Sequence, residues 1–579
     1  MSIKNIVKSP SLNSRLKVAA KNFPTRIAVQ DEYKILTFSD FYSEVESLSE
    51  RIKSMIVPND HVAVQLPRGG DYIIAAYAIW HAGGVYLPLD DQWPVSRVEG
   101  ILERSHAKLL IFKTDDAKHV ELKALFAEDH KVEHIKDAPS YVIHTSGTTG
   151  EPKGVVISHA SLLHLVDNHQ VYIYKKYGLL EGAVALNASF CFDSSLERLS
   201  LVALGYSVHV ISEKVRKSPH DLIAYLKKHD ILNVDLVPSH AKVLIHSGLA
   251  GQCDALKLVI VGGEAIDSEL WSLLVADNRV YINVYGPTEN TINTTFCEVV
   301  GDTPHIGRPF DGVECILLSE NGLLSQLNEP GELLVCGQHL SLGYYNAPEL
   351  NARSFVEVSG KVYYKTGDLV KSTPQYGLQF LGRIDEQVKV NGYRIELSEV
   401  QHHLSLLPNV KYAAVTALKL PSGSGLLASV VFDATAEEGI LPKLQILLAE
   451  KLPSYMVPDR WQSVDTLPLT ENLKLDHKAL IKSWKSKSSP DFIRDQIKSF
   501  SETEHKVLNV WEKILMRRDL SLDDHFFSSG GDSIAAMNLL VELNNLNLKK
   551  VSLGEIFKFP TVRMMANWLD REVARSEEG

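Results

Sequence analysis

From about residue 35 to 380, hydrophobic positions fall into two alternating patterns. Short apolar runs rich in β-branched residues, such as Leu109–Phe112, Val208–Ile211 and Leu256–Val261, predict buried strands. Longer stretches between them predict helices, and the alternation predicts α/β layers on largely parallel sheets. Tyr72 to Leu89 has no Asp, Glu, Lys or Arg and approaches the length of a membrane span. His81, Gly83, Gly84 and Pro88 interrupt it and Asp90 and Asp91 close it, so the expectation is a buried helix running into a buried strand.

The pattern changes after Leu480. Lys482 to Pro490 is rich in lysine and serine and reads as a linker. Beyond it, Glu504–Leu515 places Val507, Val510, Trp511, Ile514 and Leu515 at helical spacing. Further periodic stretches run from Ser533 through Met537, Leu540 and Val541, and from Val562 through Trp568. Roughly 75 residues of short amphipathic helices predict a small bundle.

Composition adds constraints. Hydrophobic residues at 45% and charged residues at 23% allow large cores, and 60 − 71 gives a net charge of −11. With no Lys/Arg-rich block, nucleic acid is not an expected partner. Five cysteines without a CxxC pair or a Cys/His cluster read as free buried thiols in a reducing compartment. The N-terminal residues lack an apolar signal core. The expectation is a soluble, cytoplasmic monomer with no membrane association.

Residues 141–154 carry the first chemistry. A Tyr-Val-Ile run enters a loop with hydroxyls at Thr145, Ser146, Thr148 and Thr149, interleaved with Gly147 and Gly150 and followed by Lys153. Glycines let successive N–H groups turn toward phosphate oxygens, and the lysine adds charge. It is not a Walker A loop, because GK[ST] is missing; taken alone, such a composition is more commonly an ordinary Ser/Thr/Gly turn. Its wording nevertheless resembles the signature of the adenylate-forming superfamily, and further motifs follow in that family's order. They are Leu87–Asp90 with Pro94 and Arg97, Phe192–Ser195, Asn283–Glu289, Gly331 through Tyr345, Tyr364–Leu369, Gly382–Glu396 and Asn472–Lys474. The ordered series resembles the amino-acid-activating adenylation domain of nonribosomal peptide synthetases. Residues 523–541, with Phe526, Phe527, two glycines, Asp532 and Ser533, resemble the attachment motif of a peptidyl carrier protein.

The resemblance implies an α/β adenylate-forming fold with a large N-terminal subdomain over 1–384 and a small α+β subdomain over 385–482. A linker at 483–500 and an all-α four-helix carrier bundle over 501–575 would follow. It implies ATP, Mg²⁺ and 4′-phosphopantetheine on Ser533 as cofactors. Thr145–Gly150 and Lys153 would hold the departing phosphates, and Glu289 the metal. Tyr285 would stack on adenine within a nucleotide run that includes Asn283, Gly286 and Thr288. Asp368 and Arg383 would hold the ribose. Lys474 would bridge the substrate carboxylate and the α-phosphate, although Leu473 stands where the family usually has glycine and His477 where it has arginine. Asp385 would be the hinge between two half-reactions, with the loop at Gly392 serving the thiol.

Counted without gaps, the family's specificity positions fall on Asp193, Ser194, Glu197, Asp235, Ile260, Gly262, Val284, Ile292 and Asn293. Asp193 matches the partner of a substrate α-ammonium group. Glu197 and Asp235 would then be unpaired carboxylates in an otherwise small and apolar pocket, so a basic amino acid such as ornithine or lysine is expected. The partners implied are that amino acid, a phosphopantetheinyl transferase, and a downstream condensation, tailoring or transferase enzyme. The whole reads as an initiating or stand-alone loading module of nonribosomal peptide or related natural-product biosynthesis. Two alternatives stay open. An acyl-CoA or aryl-acid ligase shares the nucleotide motifs but needs no Asp193. A non-catalytic carrier scaffold would lack the phosphate loop and Lys474. Ser533 could also be a helix N-cap or a hydrolase nucleophile.

Overall fold

The computed structural model describes residues 10–577 apart from 115–118, 126–137, 148–150, 320, 386, 391, 421–422, 434–439, 470–474, 488–499, 516–519, 523, 525, 527–538, 541, 545, 547–550 and 552. The chain divides into two compact units, Met1–Glu399 and Val400–Gly579.

The described residues of the first unit form three large sheets and a two-stranded ribbon, Gln387–Val390 with Tyr393–Glu396. A nine-stranded sheet has six adjacent parallel strands at its centre: Ile27–Gln30, Ser207–Val210, Ala183–Leu186, Asn233–Leu236, Leu258–Gly262 and Val280–Tyr285. Antiparallel strands close both edges, Ile35–Thr37 at one and Thr295–Glu298 with Arg308–Pro309 at the other. A seven-stranded sheet has Leu109–Phe112, His61–Gln65, Val85–Leu89 and Pro139–Thr145 as its parallel core. The third sheet, five-stranded, is antiparallel and includes Pro330–Gly337, Lys361–Thr373 and Gly377–Arg383. Parallel strands here are continuous apolar runs because both faces are covered.

The uncharged stretch resolves as expected into helix Gly70–Ala82 and strand Val85–Leu89, both buried. The helix is apolar all round because strands of the seven-stranded sheet cover one side and helices, among them Phe38–Lys53 and Leu12–Asn22, the other. Trp80 donates its indole N–H to the Ser140 carbonyl on one side (2.8 Å), and Tyr77 its hydroxyl to the Leu199 carbonyl on the other (3.1 Å). Among the described residues no helix is long and apolar enough to cross a membrane. The cysteines are free thiols, four buried and Cys315 half-buried.

In the second unit, Val410–Leu420 pairs antiparallel with Gly423–Phe432, which pairs in parallel with Arg460–Ser463. Helix His477–Lys487 runs into the stretch read as linker; lysine is a good helix former and carries the helix on past its buried anchor, Leu480. Further along, helices Glu502–Leu515, Leu553–Lys558 and Val562–Glu577 share a core of Val507, Trp511, Leu539, Leu543, Val562, Met565 and Leu569. The predicted spacing of the first of these helices buries Val507, Val510 and Trp511. Ser533 and Lys474 lie outside the described residues.

Candidate active site

The loop read as a phosphate cradle joins strands Pro139–Thr145 and Lys153–Ser158, which set Thr145 opposite Lys153. Thr148, Thr149 and Gly150 lie outside the described residues. Gly147 has no room for a side chain, since a Cβ would stand 2.0 Å from the Glu151 carbonyl oxygen. Its N–H donates to Glu399 Oε2 (2.9 Å), while Arg97 donates to Glu399 Oε1 (2.9 Å). The buried Ser146 hydroxyl donates to the Arg394 carbonyl (2.9 Å) and accepts from the Glu396 N–H (3.0 Å). Lys153 Nζ is 3.5 Å from Glu396 Oε1. Burial lowers the Lys153 pKa, Arg394 adds to this, and Glu289 and Glu396 oppose it. The Gly147 N–H and Lys153 thus reach the carboxylates of Glu399 and Glu396, donors of the kind that also suit a phosphate oxygen.

Glu289 sits on the short turn Thr288–Asn290, fully buried. Tyr344 donates to its Oε1 (2.5 Å) and Arg394 to its Oε2 (2.8 Å). Burial alone would raise its pKa, but Arg394, Lys153 and the Tyr344 hydroxyl hold it down at about 2. An ionised carboxylate beside a phosphate-type loop fits a hard cation such as Mg²⁺.

Tyr285 ends strand Val280–Tyr285, and its hydroxyl donates to Asp368 Oδ2. Asp368 and Arg383 are cross-strand partners, and Arg383 Nη1 donates to Asp368 Oδ1 (2.6 Å). The other side of the same guanidinium holds Asp385 through two bonds of 2.6 Å. The expected adenine, ribose and hinge residues therefore form one connected chain. Asn283 donates its amide to the His305 carbonyl (2.7 Å). A Cβ on Gly286 would meet the Ile292 carbonyl oxygen at 2.3 Å, so glycine alone permits that backbone approach. Thr291 and Ile292 hold φ of 45° and 66°, each a strain of about 1–3 kcal/mol for β-branched residues. The Thr291 hydroxyl donating to the His339 carbonyl (2.5 Å) and the Thr294 N–H donating to the Tyr285 carbonyl (2.7 Å) maintain it.

The specificity positions lie at the carboxyl ends of the parallel strands, where α/β sheets bind ligands. Asp193 and Ser194 open helix Ser194–Ser200, and Glu197 follows on it. Asp235 stands beside Ile260 and Gly262 beside Val284 in register. Burial raises the Asp193 pKa; the Thr288 side chain, the Ser194 N–H and Lys389 offset part of that. Glu197 and Asp235 correct the sequence reading: neither is unpaired. Asp235 accepts the N–H groups of Asn187 and Ala188 (both 3.1 Å). Glu197 lies 3.1 Å from His169 Nδ1 and accepts from Asn293 (3.3 Å) and Tyr174 (3.4 Å). Arg198 Nε lies between the two acids, 3.5 Å from Asp235 and 3.9 Å from Glu197. The charge argument for a basic substrate loses its premise.

Gly392 has φ +81°, its N–H donates to Glu264 Oε1 (2.7 Å), and a Cβ would meet Val237 Cγ1 at 2.5 Å. Sequence reasoning overlooked Tyr344, Lys389, Arg394, Glu396, Glu399, His169 and Arg198. Tyr344, Lys389, Arg394 and Glu396 lay within the matched motifs; Arg198 was detectable only as a charge inside an apolar helical run.

Comparison with known proteins accords with this geometry. The sequence matches the AMP-binding enzyme family over residues 16–345, the AMP-binding enzyme C-terminal domain over 399–474 and the phosphopantetheine attachment site over 505–569. It is 59% identical over 568 residues to the dapdiamide synthesis protein DdaD of Enterobacter agglomerans, covering 98% of each chain. It is 31% identical over 584 residues to bacitracin synthase 3 of Bacillus licheniformis, covering 97% of this chain but only 9% of that one. The fold is that of holo-PA1221, an NRPS protein containing adenylation and PCP domains bound to a vinylsulfonamide inhibitor, with a TM-score of 0.76, 22% identity and coverage of 99% and 98%. Enzymes of this family use ATP with Mg²⁺, and the carrier domain bears 4′-phosphopantetheine. The chain belongs to the AMP-binding, adenylate-forming enzyme family, as an amino-acid-adenylating ligase joined to a peptidyl carrier domain of the nonribosomal peptide synthetase type.

Proposed function

We propose that this chain activates an α-amino acid and loads it onto the phosphopantetheine thiol of its own carrier domain, as an initiating or stand-alone loading module. The observation that carries the amino-acid reading is Asp193, a half-buried carboxylate at the start of helix Ser194–Ser200 that takes the Thr288 side chain beside Glu289 and is placed to pair with a cation. An α-ammonium group supplies that cation; an aryl or fatty acid does not. Lys153 and the Thr145–Gly150 loop hold the β- and γ-phosphates, and Glu289 holds Mg²⁺, whose charge assists pyrophosphate departure. Tyr285 packs on adenine, and Asp368 with Arg383 receives the ribose. The substrate carboxylate oxygen bonds to the α-phosphorus as the bond to pyrophosphate breaks, with Lys474 offsetting the charge that builds up. A phosphopantetheine arm on Ser533 would supply the thiol that takes the acyl group from the adenylate, with AMP as the leaving group. Asp385 is the joint and Gly392 the thiol-side turn in this second step.

The likeness to DdaD supports a part in making a dapdiamide-like compound, with a downstream condensation, tailoring or transferase enzyme receiving the acyl group. A phosphopantetheinyl transferase primes Ser533, and the chain acts as a cytoplasmic monomer. The test is amino-acid-dependent ATP–pyrophosphate exchange, followed by intact mass of the primed chain. Exchange with an amino acid and a matching mass gain on the carrier are expected. Exchange only with aryl or fatty acids, released as coenzyme A esters, would replace this reading with the ligase one.

A further inference from the structure

We infer that Glu264 is a positioning residue for carrier loading: its carboxylate is a fixed acceptor that holds the Gly392 turn in its docked place, and adenylation does not draw on it. The inference rests on the carrier-loading reading above and deepens it.

Glu264 lies just beyond strand Leu258–Gly262, at the carboxyl end of the sheet. Its Oε1 accepts the Gly392 N–H (2.7 Å) and the Ser239 hydroxyl (3.1 Å), and its Oε2 accepts the Ser239 N–H (2.9 Å). Ser239 is in the first turn of helix Pro238–His246, whose N-cap residue, Val237, makes no side-chain cap bond. Glu264 thus supplies the missing cap from another element, at the helix end that favours an anion. Neither bond to Ser239 involves the ribbon, so the carboxylate stays aimed whether or not the turn is docked. The turn brings the matching donor. Val390 and Tyr393 close the ribbon ladder, and the Gly392 N–H is directed out of that ladder to Glu264. The two turns also touch, since a Cβ on Gly263 would lie 3.9 Å from Gly392 Cα. Among the described residues no ion pair joins Glu264; two N–H groups and a hydroxyl answer its charge. A hydrogen bond to a carboxylate is stronger than a neutral one. With the ribbon turned away at Asp385 this bond is absent, so it favours the docked state alone.

A helix cap alone would change stability and leave the two half-reactions in proportion; a positioning residue changes one of them. The test uses the full, primed chain carrying Glu264→Gln, which keeps the shape but leaves one acceptor oxygen for donors on two sides. Loading from supplied aminoacyl-adenylate, followed by rapid quench and intact mass, should slow by roughly 10- to 100-fold, the range for a hydrogen bond to a charged group. Amino-acid-dependent pyrophosphate exchange should stay within about twofold. Because both residues act on one docked turn, adding Glu264→Gln to Gly392→Ala should slow loading by less than about threefold further, whereas independent effects would multiply. Should Glu264→Gln fail to fold, Ser239→Ala decides: it removes the hydroxyl that helps aim Oε1, and should slow loading by roughly two- to fivefold with exchange unchanged. Equal losses in both half-reactions, unimpaired loading by the folded variant, or full multiplication in the pair overturns the assignment, leaving Glu264 a helix cap and amino-acid activation standing. An unmodified chain that exchanges with no amino acid, or exchanges and never loads its carrier, overturns the functional reading itself.

Discussion

Gly392→Ala separates the two half-reactions, because the glycine's docking contact is short and its backbone is left-handed. At φ +81°, a new Cβ would stand 2.5 Å from Val237 Cγ1 and 3.5 Å from Val237 Cβ. A side chain in left-handed backbone costs about 1–2 kcal/mol, and turning Val237 off its rotamer to clear the methyl adds roughly 0.5–1.5 kcal/mol. The sum, about 1.5–3.5 kcal/mol, reduces the population of the docked turn by roughly 10- to 400-fold. If the docked turn serves the thiol, loading of the primed chain from supplied aminoacyl-adenylate should slow by about that factor. Pyrophosphate exchange should stay within about twofold, since it draws on an arrangement without this contact. Rapid quench with intact-mass detection measures the first and isotope exchange the second. Adding Val237→Ala removes the contact but not the backbone strain, so it should restore loading by only about fivefold, corresponding to roughly 1 kcal/mol. Equal losses in both half-reactions, or unimpaired loading, would refute the assignment.

Ser533→Ala should keep exchange intact and abolish both priming and loading, read as the absence of any mass gain after treatment with a phosphopantetheinyl transferase; a persisting adduct would move the attachment site elsewhere. Lys474→Ala should slow adenylation by at least tenfold more than it slows transfer from supplied adenylate, the reverse of Gly392→Ala, and equal effects would count against its role at the α-phosphate. Stability should also depend on Glu197 in acid. Burial opposes its charge, but His169 and Arg198 hold its pKa at about 2, below the ordinary 4.5. A depressed folded value stabilises fully above the unfolded pKa and is lost as pH falls from about 4.5 toward 2. Thermal unfolding of the unmodified chain should therefore drop more steeply over that window than that of Glu197→Gln, and parallel profiles would show that the pair contributes nothing.

The sequence by itself determined what is local. The uncharged run from Tyr72 to Leu89 announced a buried helix and strand, and the spacing of Val507, Val510 and Trp511 announced a core-facing helix, because both signals arise from neighbours within one or two turns. The ordered motifs likewise brought out Glu289, Asp368, Arg383 and Gly392 before any contact was known. Only the tertiary structure decided the charges between segments. Glu197 and Asp235 looked like an unpaired acidic pair because the groups that meet them come together only in the fold: His169 from the helix before Glu197, Arg198 from the helix that carries Glu197 but not Asp235, and the Asn187 and Ala188 N–H groups from a strand end. The contacts of Glu396 and Glu399 with Lys153 and Gly147 were hidden for the same reason. Periodicity reports which face of an element is buried, but a buried charge is defined by what the fold brings against that face, and that distance is not written along the chain.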